Sequence, residues 1–161
     1  MIERERKFIV NAAKLPETYK QKMVEGLYRT VRTGYFTDKG VAIRASATNH
    51  ERFDPGYKVC FKGPGTEARE EFEYRIPAED ALRLIELAPF KINKQRLIVD
   101  GWEIDFFSFG QTHLVMAEWE EHEGKGPIPS PLPSWIVREV TEDVRFTNQH
   151  LAAFGVPKDV R

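Results

Sequence analysis

Pairs of carboxylates two residues apart recur along this sequence and mark its candidate site residues. The pairs are Glu3/Glu5, Glu71/Glu73, Glu103/Asp105 and Glu118/Glu120. Residues i and i+2 of a β-strand project from the same face, so an extended segment places both carboxylates of a pair side by side. Oxygen ligands favour Mg²⁺ or Mn²⁺. The spacing therefore predicts divalent-cation chemistry on one face of a sheet.

Basic side chains occupy matching positions on the same segments. They are Lys7, Arg44, Lys58, Lys62, Arg69, Arg75, Lys94 and Arg96. The opposite faces of these segments are aromatic or β-branched. Because Arg and Lys bind phosphate oxygens, cations beside carboxylates indicate a site that takes phosphate and metal together.

A sheet with one buried and one solvated face would alternate in the same way, so alternation alone does not separate the two interpretations. For each carboxylate the alternative is an internal ion pair with a neighbouring Arg or Lys. Solvated faces, however, usually mix Thr, Ser, Gln and Lys, whereas carboxylates are doubled here. Like charges facing each other across strands destabilise a sheet unless a ligand compensates them. A closed barrel with a charged interior and an apolar, helix-covered exterior meets these conditions.

The elements that must position these residues are mostly strands. Alternation and turn signals predict eight of them, at 2–10, 27–36, 41–48, 57–62, 69–76, 91–99, 102–107 and 114–120. Helical spacing of apolar residues predicts a helix over 77–88. A short helix is expected after Pro16, a polar loop over 49–56, a helical turn within 133–140 and a terminal helix over 146–154. The fold class is mainly β (α+β).

Composition excludes several classes of protein. The 161 residues predict a single domain, 1–161, with room for a core. A net charge of -1 gives no basic excess for binding a nucleic acid duplex. There is no run of about 18 apolar residues, so no membrane span is expected and a cytoplasmic protein is predicted. The single cysteine, Cys60, excludes an internal disulfide, and the four histidines lack paired zinc-ligand spacing.

The charged segments resemble a known family when they are taken in order. Glu3-x-Glu5-x-Lys7 resembles the signature of the CYTH domain, found in the triphosphate tunnel metalloenzymes. The resemblance continues along nearly the whole chain, through the segments 59–63, 69–74, 94–96, 102–107, 117–120 and 139–148. Glu-x-Glu-x-Lys alone would be a weak signal, but all these segments in one order make chance an unsatisfactory explanation.

The resemblance implies an eight-stranded antiparallel β-barrel, open as a tunnel, with charged side chains inside and helices packed outside. Members of the family bind a triphosphate group with a divalent metal, here Mg²⁺ or Mn²⁺. Small bacterial members resemble inorganic triphosphatases, which convert triphosphate to diphosphate and phosphate. Because members often form dimers, a homodimer is an expected assembly.

The resemblance also implies roles for individual residues. The carboxylates expected to hold metal are Glu3, Glu5, Glu103, Asp105, Glu118 and Glu120. The cations expected to bind the substrate's phosphate oxygens are Arg44, Lys62, Arg69, Lys94, Arg96 and Arg145. Three residues are expected to be catalytic: Glu71 and Glu73 on a second metal or the attacking water, and Lys7 as a base or water-orienting group.

Two positions depart from the family's pattern. Ala42-x-Arg44 stands where the family usually has Arg-x-Arg, and Thr33-Gly34-Tyr35 stands where it has Gln-Gly-Tyr. One phosphate contact is therefore expected to be missing, with Arg29, Arg32 or Lys58 as its replacement. Two alternatives stay open: a class IV-type adenylate cyclase that converts ATP to cyclic AMP, and a triphosphate- or nucleotide-binding module without turnover.

Overall fold

A computed structural model describes residues 2–50, 53–66, 68–110, 112–122 and 124–160, with residues 2, 3, 50 and 53–55 described by their backbone only. The strands are β1 (Ile2–Val10), β2 (Arg29–Tyr35), β3 (Ala42–His50), β4 (Phe53–Lys62), β5 (Ala68–Arg75), β6 (Phe90–Val99), β7 (Trp102–Phe109), β8 (Thr112–Glu121) and β9 (Ile136–Glu139). The α-helices are α1 (Glu17–Val24), α2 (Ala78–Leu87) and α3 (Asn148–Phe154). Short 3-10 helices span Ala12–Lys14, Val144–Phe146 and Lys158–Val160.

Eight antiparallel strands form a closed barrel, which confirms the predicted fold. Their order is β5-β4-β3-β2-β6-β7-β8-β1, and β1 pairs with β5 to complete the ring. The closing pairs are Ile2 with Glu70, Glu3 with Arg69 and Arg4 with Ala68. Closure satisfies the backbone hydrogen bonds that the edges of an open sheet would leave unpaired.

An aromatic cluster on the outside of the barrel supports the strands that carry most of the carboxylates. The Trp102 ring lies 5.0 Å from Trp119, 5.2 Å from Trp135 and 5.7 Å from Phe8, measured between centroids. Tyr19 of α1 joins this cluster and donates a hydrogen bond of 2.6 Å to Asp100. Because the apolar residues lie outside, the opposite faces of β1, β7 and β8 are left to line the interior.

The α3 region covers one end of the barrel. Phe146 and Leu151 are buried against the inward-facing residues Tyr35 and Ile92. Gln149 donates a 2.7 Å hydrogen bond to Thr37, which follows β2. This end of the interior is therefore apolar, and the charged residues lie further along the barrel.

Within residues 133–140, expected to contain a helical turn, a turn closes where the Ile136 N–H donates to the Pro133 carbonyl over 3.1 Å, and β9 follows over Ile136–Glu139. The strand pairs with Phe8–Val10 of β1, beyond the short stretch of β1 that pairs with β5. Arg6 donates two 2.8 Å hydrogen bonds to Glu139, which fixes β9 to β1. The loop predicted over 49–56 is also largely extended, because β3 continues to His50 and β4 begins at Phe53.

Helix α2 packs on the outside of β2, β3 and β4. Ala81 and Ile85 are its buried residues, and Ile85 packs against the small side chains of Ala45 and Ala47. At Gly34 the helix comes so close that an added Cβ would lie 2.6 Å from the Cβ of Ala88. Of the helices that the structure describes, none has both the length and the apolar character to cross a membrane.

We predict that Gly34→Ala lowers the free energy of unfolding by about 1–3 kcal/mol, because the new methyl group overpacks the contact between β2 and α2. Urea denaturation measures the effect. Gly56→Ala is the matched control, since a Cβ there would meet Thr48 at an ordinary 3.8 Å. Equal stability of the two variants would show that α2 does not constrain position 34.

Candidate active site

The barrel encloses a cavity of about 700 Å³ that is lined by residues from all eight of its strands. The basic lining residues are Arg29, Arg44, Lys58, Lys62, Lys94 and Arg96. The acidic lining residues are Glu5, Glu71, Glu73, Glu103, Glu118 and Glu120. Among the residues whose side chains the structure describes, the two sets are equal in number, so their formal charges cancel.

Four carboxylates lie together on β1, β8 and β7. Glu5 is paired in register with Glu120, and Glu118 with Glu103, so like charges face each other directly on both sides of β8. Residues facing each other in this way have Cβ atoms about 5 Å apart. Burial, together with the charges of Glu118 and Asp105 and despite Arg96, raises the pKa of Glu103. Arg96 also reaches these residues, with its Nη1 3.2 Å from Glu103 and its Nη2 3.5 Å from Glu118. This carboxylate wall therefore has oxygen donors of the kind that suit a divalent cation.

Glu5 lies within reach of three cations. Its Oε1 is 3.1 Å from the Nζ of Lys7, 3.2 Å from the Nη2 of Arg69 and 3.8 Å from the Nζ of Lys62. Burial would raise the pKa of Glu5, but the charges of Lys7, Lys62 and Arg69 outweigh burial and hold that pKa well below its usual range. Glu5 is therefore an ionised carboxylate.

Lys7 lies beneath the cavity lining and joins β1 to β8. Its Nζ is 3.1 Å from Glu5 and 3.8 Å from Glu118. Burial would lower the pKa of Lys7, but the charges of Glu5 and Glu118 outweigh burial and raise it. The raised pKa favours a Lys7 that stays protonated and orients its neighbours, over the predicted alternative role as a base.

Asp105 is fully buried and holds two cations of β6. Its Oδ2 accepts a 2.8 Å hydrogen bond from Lys94, and its two oxygens accept bonds of 2.7 and 2.9 Å from Arg96. Burial is outweighed by the charges of Arg96 and Lys94, so the pKa of Asp105 lies well below its usual range. Both oxygens face protein cations, and the geometry favours a role in positioning Lys94 and Arg96 over the predicted role as a metal ligand.

The wall formed by β3, β4 and β5 combines cations with two carboxylates. Arg44 Nη2 lies 3.8 Å from Glu71 and 3.9 Å from Glu73, and Lys58 Nζ lies 2.7 Å from Glu73. The buried Cys60 thiol donates to Glu71 over 3.5 Å, and burial raises the pKa of that thiol. Glu71 and Glu73 are thus held among cations, apart from the carboxylate wall of β1, β8 and β7.

The structure brings most of the predicted residues to one cavity. Besides the lining residues, Lys7 and Arg69 lie in a small adjoining space that Arg44 and Lys62 also line. The side chain of Glu3 lies outside the described residues. Arg145 is placed elsewhere: it is half exposed and pairs with Asp143 at 2.7 Å and Asp159 at 2.9 Å. The geometry therefore gives no support to phosphate binding by Arg145.

The sequence analysis assigned no site role to the neutral residues that line the cavity. Thr33, Ser46, Thr48 and Asn148 line the cavity, but they carry none of the charge that marked the predicted set. The alternation of β2 and β3 places the first three on the inward face, so periodicity was the signal that could have found them. Ala42 belongs to the apolar cluster under α3.

Two of the three expected replacements for the missing arginine do line the cavity. These are Arg29 and Lys58. Arg32 is exposed on the outward face of β2, where alternation directs its side chain away from the interior.

The chain is similar to known proteins both in sequence and in fold. No protein-family model matches the chain. The chain is 36% identical to an inorganic triphosphatase of Acetivibrio thermocellus over 157 residues, which cover 92% of each sequence. The fold is similar to that of the inorganic triphosphatase NE1496, with a TM-score of 0.54, 24% identity and 93% of each chain covered. A second structure, of the hypothetical protein NE1496, has the same TM-score and identity and is covered over 97% of its length.

We predict that Asp105→Asn lowers the free energy of unfolding at pH 7 by about 3–5 kcal/mol, because Lys94 and Arg96 lose their buried counter-charge. The folded pKa of Asp105 is below its unfolded value, so the stability from its charge is full above pH 5 and declines as the pH falls through 3.8 and below. The difference between wild type and variant should therefore shrink from pH 7 to pH 3. Urea denaturation at both values measures it, and a difference that is constant or grows would contradict this account of Asp105.

Proposed function

The chain belongs to the CYTH, or triphosphate tunnel, family, and on this premise we propose that it is a divalent-metal-dependent hydrolase of inorganic triphosphate, with diphosphate and phosphate as products. One observation carries the proposal. Among the residues whose side chains the structure describes, carboxylates and cations of equal number line one cavity, and Glu5 faces Glu120 and Glu118 faces Glu103 on the two sides of β8. Such a lining suits a polyanion that arrives together with divalent metal.

The carboxylate wall fits Mg²⁺ or Mn²⁺. Glu5, Glu103, Glu118 and Glu120 supply oxygen donors, and burial together with the charges of Glu118 and Asp105 raises the pKa of Glu103 although Arg96 lies 3.2 Å away. These residues would hold the metal. When bound, a divalent cation neutralises charge on phosphate oxygens and helps to ionise water.

The cations of β6, β3 and β4 would bind the phosphate oxygens. Lys94 and Arg96 are fixed by Asp105, so little conformational freedom is lost when they contact substrate. Arg44 and Lys62 lie on the opposite part of the wall. Phosphoryl transfer requires positioning and electrostatic stabilisation more than covalent help from the protein, and rigidly held cations supply both.

Two carboxylates would orient the attacking water. Glu71 and Glu73 face the cavity. Burial would raise the pKa of Glu73, but the hydrogen bond and the charge of Lys58 outweigh burial and hold that pKa below its usual value. An ionised carboxylate at this place can accept a hydrogen bond from water and orient it. Lys7 would act indirectly, by holding Glu5 and Glu118 in position.

The charge balance of the cavity lining also indicates whether triphosphate enters free or as its metal complex. Triphosphate alone would bring a large negative charge into a lining whose charges already cancel. Divalent cations offset most of that charge, so we expect the metal complex to enter in preference to the free anion. A cytoplasmic location and a homodimer remain predictions from the sequence.

We predict that the protein releases phosphate from inorganic triphosphate with Mg²⁺ or Mn²⁺ and does so faster than from ATP, and that excess EDTA abolishes the release. A colorimetric phosphate assay with both substrates measures this, and a parallel assay for cyclic AMP tests the cyclase alternative. No phosphate from either substrate, with or without cyclic AMP, would contradict the proposed function.

We predict that Glu120→Gln lowers the rate of phosphate release by at least about tenfold and raises the metal concentration needed for half-maximal activity, because it removes a charged donor from the carboxylate wall. Glu121→Gln is the matched control, since Glu121 is exposed on the outward face of the same strand. Metal titrations of activity compare the two. Wild-type behaviour of a folded Glu120→Gln variant would remove the carboxylate wall from the metal site.

A further inference from the structure

Two polar atoms in the wall of the cavity have no hydrogen-bond partner among the residues that the structure describes. They are the Oγ of Ser46 and the Nε of Arg44, neighbours on the inward face of β3. Ser46 is only 4% exposed. A buried polar atom without a partner destabilises the folded protein, so its presence at a cavity wall indicates that something else supplies the partner.

The residues beside Ser46 do not fill that role. Its register partners are Thr33 on β2 and Lys58 on β4, and the Ser46 hydroxyl makes no hydrogen bond to either. The Lys58 ammonium lies 2.7 Å from Glu73, to which its charge is directed, and an ammonium has no lone pair to accept the Ser46 hydroxyl proton. The hydroxyl therefore has a proton to donate into the cavity.

Arg44 is held in place although its Nε is unpaired. Its Nη1 donates to the hydroxyl of Tyr35 over 3.4 Å, and its Nη2 faces Glu71 and Glu73. The side chain is thus oriented by contacts at its tip, and the Nε–H remains as a donor. Ser46 and Arg44 together present two hydrogen-bond donors, from i and i+2 positions of one strand, to the same space.

We propose that Ser46 is a substrate-positioning residue whose hydroxyl donates a hydrogen bond to a phosphate oxygen of bound triphosphate, beside the Nε–H of Arg44. The inference rests on the proposed function, since it takes triphosphate as the occupant. Ionised phosphate oxygens accept hydrogen bonds and cannot donate them, which matches a site where the Arg44 Nε–H and the Ser46 hydroxyl can both donate.

A hydroxyl suits this position because it adds no charge. The lining already balances its cations and carboxylates, and a further cation at position 46 would stand next to Lys58 and Arg44. A hydroxyl contributes direction without adding to the repulsion among those cations. Ser46 therefore helps to position the phosphate chain but does not compensate its charge.

The test compares Ser46→Ala, Ser46→Thr and Ser108→Ala. Ser108 is exposed on the outward face of β7, so its variant makes the same chemical change in a strand away from the cavity. Steady-state kinetics with triphosphate and Mg²⁺ give KM and kcat, and urea denaturation without substrate gives stability. These two measurements separate a role in binding from a role in folding.

Ser46→Ala is expected to raise KM for triphosphate about five- to tenfold with kcat within about twofold, because it removes one hydrogen bond made equally in the ground and transition states. Its stability without substrate should equal or exceed that of the wild type, because the unpaired hydroxyl is gone. Ser46→Thr keeps the donor and should keep KM within about twofold, as should Ser108→Ala.

Other outcomes would overturn the inference. An unchanged KM in Ser46→Ala would show that the hydroxyl meets water and not substrate, and lower stability together with unchanged KM would show a structural role. In both cases the wild type would still release phosphate, so the proposed function would survive. A wild type that neither hydrolyses triphosphate nor is stabilised by it with Mg²⁺ would overturn both.

Discussion

Charges buried inside a closed barrel must be compensated within it, and the structure depends on this constraint. An isolated buried ion is costly because it loses its hydration, and a partner repays that cost only at close range. Asp105 shows the strictest case: it is fully buried and meets Lys94 and Arg96 at hydrogen-bonding distance. The same requirement explains why Glu5 and Lys7 are adjacent and why the lining cations and carboxylates are equal in number.

Compensation is uneven around the barrel, and that unevenness gives the cavity its chemistry. Glu5 has three cations around it, whereas Glu103 has Arg96 at 3.2 Å but also the like charges of Glu118 and Asp105, and burial raises its pKa. Charge is therefore balanced over the described lining and least fully compensated at Glu103. A metal–triphosphate complex has the complementary distribution, with cations at one side and phosphate oxygens at the other. The proposed hydrolase follows from this match.

Apolar packing on the outside of the barrel offsets the free-energy cost of its charged interior. Strands of period two can bury a charged face only if the other face is buried as well, and the cluster around Trp102 and the α2 contact at Gly34 provide that burial. The interior residues are thereby held on strands with little freedom to relax. This rigidity is the preorganisation that electrostatic catalysis requires.

Strand alternation made much of this predictable, and its limits are physical. The eight barrel strands and their charged faces follow from period two, so residues such as Glu118 and Lys94 could be assigned to one interior from the sequence. Strand β9 was not predicted because it is four residues long and pairs with β1 only beyond the residues of β1 that pair with β5. Arg145 was assigned by motif alone, and a motif does not report on which side of the chain a side chain lies. Ser46 carries no charge, so periodicity places it on the inward face and only its unpaired hydroxyl marks it as a site residue.

The central claim is that metal and triphosphate bind together because each supplies charge that the other lacks. Calorimetric titration with imidotriphosphate, a non-hydrolysable analogue, tests it directly when run with Mg²⁺ and again with EDTA. Linkage requires that if metal strengthens analogue binding, the analogue strengthens metal binding by the same factor. The account predicts binding at least about tenfold tighter with Mg²⁺, a coupling of about 1.4 kcal/mol or more. Equal affinity in EDTA would contradict it.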